Sequence, residues 1–119
     1  LLGWGSTNLD NFDSEKLSQY RKSWNNVDTI RAMCDDYRAA IHFDWDLDKK
    51  DRNRCLEIPA CVMWGKTGAM AQHFDVPATW SKNFSNIEKK PIEGGHFFPD
   101  QYPQETVSAL VSFIINNTN

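Results

Sequence analysis

A chain of 119 residues with 40% hydrophobic and 13% aromatic side chains can build one small packed domain and is too apolar to be disordered. Its net charge of −3, with no dense Lys/Arg patch, excludes nucleic acid as an expected partner. The longest apolar runs, ACVMWG and ALVSFII, are far too short to span a bilayer, so we expect no membrane association.

The cysteines indicate the redox compartment of the protein, and the first residue indicates whether sequence precedes it. Cys34, Cys55 and Cys61 are odd in number and match no C-x-x-C or zinc spacing. We expect reduced, partly buried thiols, as in a cytoplasmic protein. The chain starts at Leu1 with neither an initiator Met nor a signal segment. We therefore expect that the protein has an upstream part.

The first half of the sequence has helical periodicity. Ser14 is a candidate N-cap for a helix that reaches about Trp24, and Asp28 is a candidate N-cap for a second helix. The apolar face of the second helix consists of Ile30, Met33, Cys34, Tyr37 and Ile41.

The run DWDLDKKDRNR follows the second helix and predicts further helix or turn. Asp44, Asp46 and Asp48 alternate like metal ligands, but the run lacks the glycine and the distal glutamate of a calcium loop. We interpret it as a solvated acidic face, with no metal.

The pattern changes at Ile58. The continuous apolar run IPACVMWG is typical of a strand buried on both faces, and NIEKKPIEGG predicts a second, weaker strand in which Pro91 favours an edge position. Short helices are predicted at GAMAQHF and PATWSKNF, and a longer one at PQETVSALVSFIINN. The core face of this last helix is predicted to be Val107, Leu110, Val111 and Ile114.

Two buried parallel strands joined by a helix form a βαβ unit. Such a unit does not normally stand alone, because its edges and faces need neighbours. The sequence therefore predicts an α/β fold with an incomplete sheet.

Gly94, Gly95 and His96 follow the second predicted strand. Ligands in open α/β sheets bind beyond the carboxyl ends of the strands, so His96 is placed where it could take a proton from water or from an attacking group. The alternative is a loop histidine that only bonds to nearby backbone, and spacing alone leaves it open. Trp64, His42 and His73 have no visible functional partner and are interpreted as structural.

Several motifs together resemble a known family. The run from VMWGKTG through FDVPATWSKNF to EGGHFFPDQYPQETVSALVSFI resembles the C-terminal end of α/β-hydrolases. With QYRKSW and TIRAMCDDYRAAIHFDWDLDKKDR, it resembles the haloacetate (fluoroacetate) dehalogenase branch, close to the epoxide hydrolases. The resemblance implies a partial α/β-hydrolase fold, with residues 1–54 as a cap-like helical segment and residues 55–119 as the C-terminal βαβα part of the core.

The resemblance also implies roles for two residues. His96 matches the general base that activates water against an aspartyl ester, which forms when a nucleophilic aspartate displaces halide from the α-carbon of a haloacetate. Tyr37, in DDYRA, matches a cap tyrosine that donates a hydrogen bond to the departing halide. Without the resemblance, Tyr37 is a core aromatic on a helix face. No cofactor is implied.

No part of the sequence matches the other half of this site. A nucleophilic Asp followed by Arg after an early strand is absent, and WGKTGAM carries no carboxylate before Asp75. We therefore expect a truncated hydrolase that holds the base without its nucleophile and is inactive alone. Its expected partner is a missing N-terminal half or a second copy, with a small haloacid as substrate only if the site is completed.

Two alternatives remain open. The first is a non-catalytic module whose exposed sheet edges pair in a homodimer. The second is an enzyme whose composite dimer site combines His96 with Asp75 or Asp100.

Overall fold

Helices and one parallel strand pair follow each other in the predicted order, in a computed structural model that describes residues 9–118, apart from the side chain of residue 11. The elements are α1 (Ser14–Trp24), α2 (Val27–Ala39), α3 (Trp45–Asp51), β1 (Leu56–Gly65), α4 (Ala69–His73), α5 (Val76–Trp80), β2 (Phe84–Ile92), α6 (Phe98–Gln101) and α7 (Pro103–Asn117). They divide into a helical unit, residues 13–54, and an α/β unit, residues 9–12 with 55–118. The assignment of residues 1–54 as a cap stays a prediction.

The N-cap of the first helix is one residue earlier than predicted. The Asp13 side chain accepts hydrogen bonds from the backbone N–H groups of Glu15 and Lys16 at 3.0 and 3.1 Å, so Asp13 rather than Ser14 is the N-cap. Asp13 has an extended ψ of 136°, which directs its carboxylate back onto the first turn. Ser14 is already inside the helix.

The second helix shows the same correction. Asn26 accepts from the N–H groups of Asp28 and Thr29 at 2.9 and 3.3 Å, so Asn26 is the N-cap that we predicted at Asp28. The Asp28 carboxylate pairs instead with Arg31, one turn along, at 3.1 Å. The two helix positions are thus as predicted, and only the capping residues were wrong.

A π-helical turn, Ala40–Asp44, joins α2 to α3 without a break in helical backbone geometry, since Ala40 and Trp45 both have helical φ and ψ. The acidic residues predicted to be a solvated face are exposed, and Asp46 pairs with Lys49 at 3.0 Å. The residues described in this unit include no fully buried side chain. On the predicted apolar face, Ile30, Tyr37 and Ile41 are 46%, 61% and 71% exposed.

The α/β unit contains the predicted βαβ arrangement. Strands β1 and β2 are parallel, in a register that places Ala60 opposite Ile87 and Gly65 opposite Ile92, and α4 and α5 make the crossover between them. Because the strands are parallel, their carboxyl ends lie at one edge of the sheet. This α/β arrangement confirms the predicted fold class.

Burial in the sheet increases toward that edge. Val62 and Ile92 are 8% and 2% exposed, whereas Ile58 near the start of β1 is 60% exposed. The prediction of a strand buried on both faces was therefore wrong for the first half of β1. Among the described helices, α4, α5 and α7 contact β1.

The predicted core face of α7 was also wrong. Val107, Leu110, Val111 and Ile114 are 44–55% exposed, and the half-buried positions of the helix are Thr106, Ala109 and Phe113. The apolar stripe of α7 is wider than the surface that the described residues offer it. An apolar face therefore remains open along the helix.

The three cysteines are unpaired, as expected, but Cys34 and Cys55 are exposed rather than partly buried. Cys61 is half-buried and lies opposite Glu88 on β2. Burial raises the pKa of the Cys61 thiol, the negative charge of Glu88 raises it further, and Lys90 opposes the rise.

No helix in the described part of the chain is long and apolar enough to cross a membrane.

We predict that iodoacetamide at neutral pH alkylates Cys61 more slowly than Cys34 or Cys55. A raised pKa leaves less of the reactive thiolate at neutral pH, and half-burial restricts access. Peptide mass spectrometry over a time course gives the three rates. A Glu88→Gln variant should alkylate faster at Cys61, and a Cys61 rate equal to that of Cys34 would contradict the prediction.

Candidate active site

The loops that leave the two strands are bonded to each other at the carboxyl edge of the sheet. The backbone N–H of Lys66, after β1, donates to the carbonyl of Ile92 at 2.9 Å, and Thr67 N–H donates to the carbonyl of Gly94 at 3.0 Å. The strand ladder thus continues past the end of each strand. It fixes the β2 loop, which carries His96, against the β1 loop.

Three glycines allow this close approach. A Cβ on Gly65 would lie 2.0 Å from the carbonyl oxygen of Gly95, so no other residue fits there without moving backbone. A Cβ on Gly68 would lie 3.1 Å from the backbone nitrogen of His96. Gly94 has a φ of +101°, which side chains rarely adopt. The two loops therefore meet backbone to backbone.

The loop is held on its other side by α6, an element that the sequence did not predict. The Gly95 N–H donates to the side-chain oxygen of Gln101 at 2.7 Å, and Phe98 N–H donates to the Gly95 carbonyl at 3.2 Å. Gln101 is 8% exposed, and among the described residues it is the buried polar one. In the sequence, Gln101 is only a polar residue in a run of aromatic residues and prolines, FFPDQYP, and this gives no sign of its role.

His96 is exposed and lies at the wall of a cavity of about 460 Å³. Its ring meets the edge of Phe97 with centroids 5.1 Å apart, and Phe97 in turn contacts the buried Phe12 ring at 6.2 Å. The structure therefore places His96 where the sequence predicted it, beyond the carboxyl ends of parallel strands.

Apolar side chains form most of the cavity wall around His96. His96 shares the lining with three glycines, Gly65, Gly68 and Gly95. The other lining residues are Met63, Trp64, Met70, Phe74, Val76, Thr79, Trp80 and Phe98. Trp64, predicted as packing, is among them, and Phe74 and Trp80 were not singled out from the sequence. Among the described residues, the lining carries no Asp, Glu, Lys or Arg.

An ion pair joins the outer sides of the two loops. Lys66, next after β1, pairs with Glu93, next after β2, and both side chains are about half exposed. The hydrogen bond to Glu93 raises the pKa of Lys66. Because the pair is exposed, it contributes little to stability. It is a second contact between the two loops, beside the backbone hydrogen bonds.

The two carboxylates considered for His96 lie at the start of α5 and on α6. Asp75 is the N-cap of α5, where its side chain accepts from the Ala78 N–H at 3.0 Å. Asp100 is half-buried on α6. Neither residue lines the cavity. No group of three or more potential metal ligands occurs among the residues that the structure describes.

The remaining predicted residues are not among those that line the cavity. Tyr37 is 61% exposed on α2, in the helical unit, so it and His96 belong to different units. His42 is exposed in the π-helical turn and His73 is exposed on α4, outside the cavity lining. The roles of Tyr37 and His96 stay predictions.

Comparison with known proteins gives clear relatives. The chain is 39% identical over 114 residues to a fluoroacetate dehalogenase from Burkholderia sp, a match that covers 96% of this chain. The chain resembles the haloacetate dehalogenases. It is also 27% identical over 105 residues to a soluble epoxide hydrolase from Corynebacterium sp. (strain C12). These matches confirm the predicted resemblance. The chain spans 38% and 34% of the lengths of these two relatives. No family profile matches the chain.

Solved structures agree with the fold. One protein of Salmonella enterica, provisionally named an acyltransferase, is similar with a TM-score of 0.84 and 27% identity over 93% of this chain and 37% of that one. Another, provisionally named an α/β hydrolase, from Nostoc sp PCC 7120, has a TM-score of 0.83 and 30% identity over 91% of this chain and 37% of its own. The predicted partial α/β-hydrolase fold is thereby confirmed.

We predict that Gly65→Ala lowers the free energy of unfolding by about 1–3 kcal/mol, because the new Cβ overlaps the Gly95 carbonyl and the loops must separate. Urea unfolding followed by Trp fluorescence gives the change. Gly68→Ala is the matched control, since its Cβ would be only slightly too close to its neighbours. Equal losses in the two variants would contradict the prediction.

Proposed function

We propose that this chain is the base-carrying part of a hydrolase that removes halide from haloacetates, with His96 as the general base. The observation that carries the proposal is the position of His96, exposed on the wall of an apolar cavity at the carboxyl edge of a parallel strand pair. The similarity to a fluoroacetate dehalogenase supports the choice of reaction and substrate class.

In the proposed reaction an aspartate attacks the α-carbon of the haloacetate and the halide leaves. This step produces an aspartyl ester. His96 then takes a proton from a water molecule as that water attacks the ester carbonyl, which releases the hydroxyacid and regenerates the aspartate. The described residues of the wall around His96 are mostly apolar and include no Asp, Glu, Lys or Arg, so His96 is the side chain that the wall offers for this proton transfer.

The nucleophile of the proposed reaction comes from a segment outside this sequence. Neither Asp75 nor Asp100 lines the cavity with His96. The chain alone should therefore bring a base and no nucleophile, and it should release no halide from fluoroacetate or chloroacetate.

A chimera tests the proposed base. The 114-residue segment of the Burkholderia fluoroacetate dehalogenase that aligns with this chain is replaced by the matching segment of this chain. We expect the folded chimera to release fluoride from fluoroacetate over many turnovers. We expect His96→Ala to release one equivalent of halide and then stop, because the ester forms but no base activates water for its hydrolysis.

Mass spectrometry of the His96→Ala chimera should then show one added carboxymethyl group. The matched control is His73→Ala, which alters an exposed histidine outside the cavity and should leave turnover unchanged. A folded chimera without turnover, or a His96→Ala chimera with undiminished turnover, would overturn the proposal.

Tyr37 is proposed as a hydrogen-bond donor to the departing halide. Tyr37→Phe removes only the hydroxyl, so in the chimera we expect kcat/KM for fluoroacetate to fall on the order of 100-fold. The loss should be smaller for chloroacetate, because chloride is a better leaving group and needs less stabilisation. Steady-state kinetics with both substrates checks this, and equal small losses would show that Tyr37 only packs.

The open face of α7 favours a second function, a non-catalytic module that associates with itself. Val107, Leu110, Val111 and Ile114 are all about half exposed on one helix. If two copies cover this face, folding and association are linked and the melting temperature rises with protein concentration. Val111→Lys should abolish that rise, while Ser112→Lys should not. A melting temperature independent of concentration in the unaltered chain would exclude this function.

A further inference from the structure

A buried side chain holds the loop just before His96, at the peptide between Gly94 and Gly95. The Gly95 N–H donates to the side-chain oxygen of Gln101 at 2.7 Å, and Gln101 is 8% exposed. Gly95 is itself buried, so its N–H would have no access to water if this bond were absent. The bond therefore satisfies a group that the fold cannot leave exposed.

The same bond closes a small ring of chain around His96. Gly95 and Gln101 are six residues apart, and the Gln101 backbone N–H donates to the Phe97 carbonyl at 3.1 Å. His96 lies between the two ends of this ring. Gln101 holds the Gly94–Gly95 peptide, and the Phe98 N–H holds the carbonyl of the Gly95–His96 peptide at 3.2 Å. With both peptides before His96 held, the direction in which its side chain leaves the backbone is set.

The opposite side of the loop cannot supply this control alone. There Gly65 and Gly68 present backbone against the loop, and the contact limits how close the loop comes. A Cβ on Gly94 would lie 2.8 Å from the Gln101 side-chain oxygen, so the glutamine also occupies the space beside the turn. Gln101 thus fixes both the hydrogen bond and the shape of the loop on that side.

From this geometry we infer that Gln101 is a positioning residue, which orients His96 by holding the Gly95 amide. The inference deepens the proposed function and rests on it for its catalytic meaning. A neutral amide suits the position because it accepts the N–H bond without placing a charge beside the histidine.

Three variants of the 119-residue chain test the hydrogen bond. Gln101→Met keeps the length of the side chain and removes the acceptor, Gln101→Glu keeps an acceptor oxygen, and Gln104→Met alters an exposed glutamine on α7. By amide hydrogen exchange, we expect Gly95 to exchange about 10-fold faster in Gln101→Met. It should exchange at the original rate in the other two, with the buried Val62 amide as the measure of an intact fold.

Nuclear Overhauser effects between the His96 and Phe97 rings, whose centroids are 5.1 Å apart, report the orientation of His96. We expect this signal to weaken in Gln101→Met and to persist in Gln101→Glu. An unchanged Gly95 exchange rate, or an unchanged ring signal with faster exchange, would overturn the inference.

The chimera adds the catalytic readout. Gln101→Met should lower kcat on the order of 10-fold with little change in KM, because a misdirected base slows ester hydrolysis without altering substrate binding. An unchanged kcat in an active chimera would overturn the inference. A chimera inactive before any Gln101 change would instead count against the proposed function, while the exchange and ring signals would still decide whether Gln101 orients His96.

Discussion

The contact between Gly65 and Gly95 is the constraint on which the rest of the α/β unit depends. It places the backbone after β2 directly on the end of β1, at a distance that excludes any side chain. Beside that contact, the N–H groups of Lys66 and Thr67 extend the strand ladder past both strands and hold the β2 loop. His96 is exposed on this loop, so backbone packing sets the position of the imidazole.

The exposed apolar surfaces follow from the same arrangement. The best-covered part of the sheet is the end where the loops meet, and coverage declines toward Ile58. The apolar stripe of α7 likewise extends beyond the narrow row at Thr106, Ala109 and Phe113 that the described residues cover. In the described part of the chain, packing is therefore densest around one loop, and the flanking apolar surfaces are open.

Local sequence signals predicted most of the elements because periodicity and Pro or Gly positions determine where helices and strands occur. The positions of α1, β1, β2 and α7 all follow from such signals. The N-cap at Asp13 rather than Ser14 was missed because adjacent residues with similar capping ability differ only in backbone ψ. Burial was wrongly predicted for Val107, because an apolar stripe shows what a helix is able to cover, and only the neighbouring elements determine what it does cover.

The candidate site was predictable in one part and not in another. The position of His96 followed from the order strand, glycine pair, histidine, together with the general placement of ligands in parallel sheets. The involvement of Gln101 did not follow, since a polar side chain five residues beyond His96 gives no sign of its partner until α6 turns it back onto Gly95. Short helices such as α6 have too few residues for a periodic signal, and their effect on a site is visible only in three dimensions.

The parallel pairing of β1 and β2 also has a consequence for the order of folding. Parallel strands cannot pair through a hairpin turn, so the Leu56 and Phe84 ends meet only after the crossover through α4 and α5 has closed a long loop. The loop that carries His96 acquires its path from the completed ladder. Assembly of the histidine site is therefore tied to a slow, non-local step, and its appearance during refolding would mark the moment at which the sheet closes.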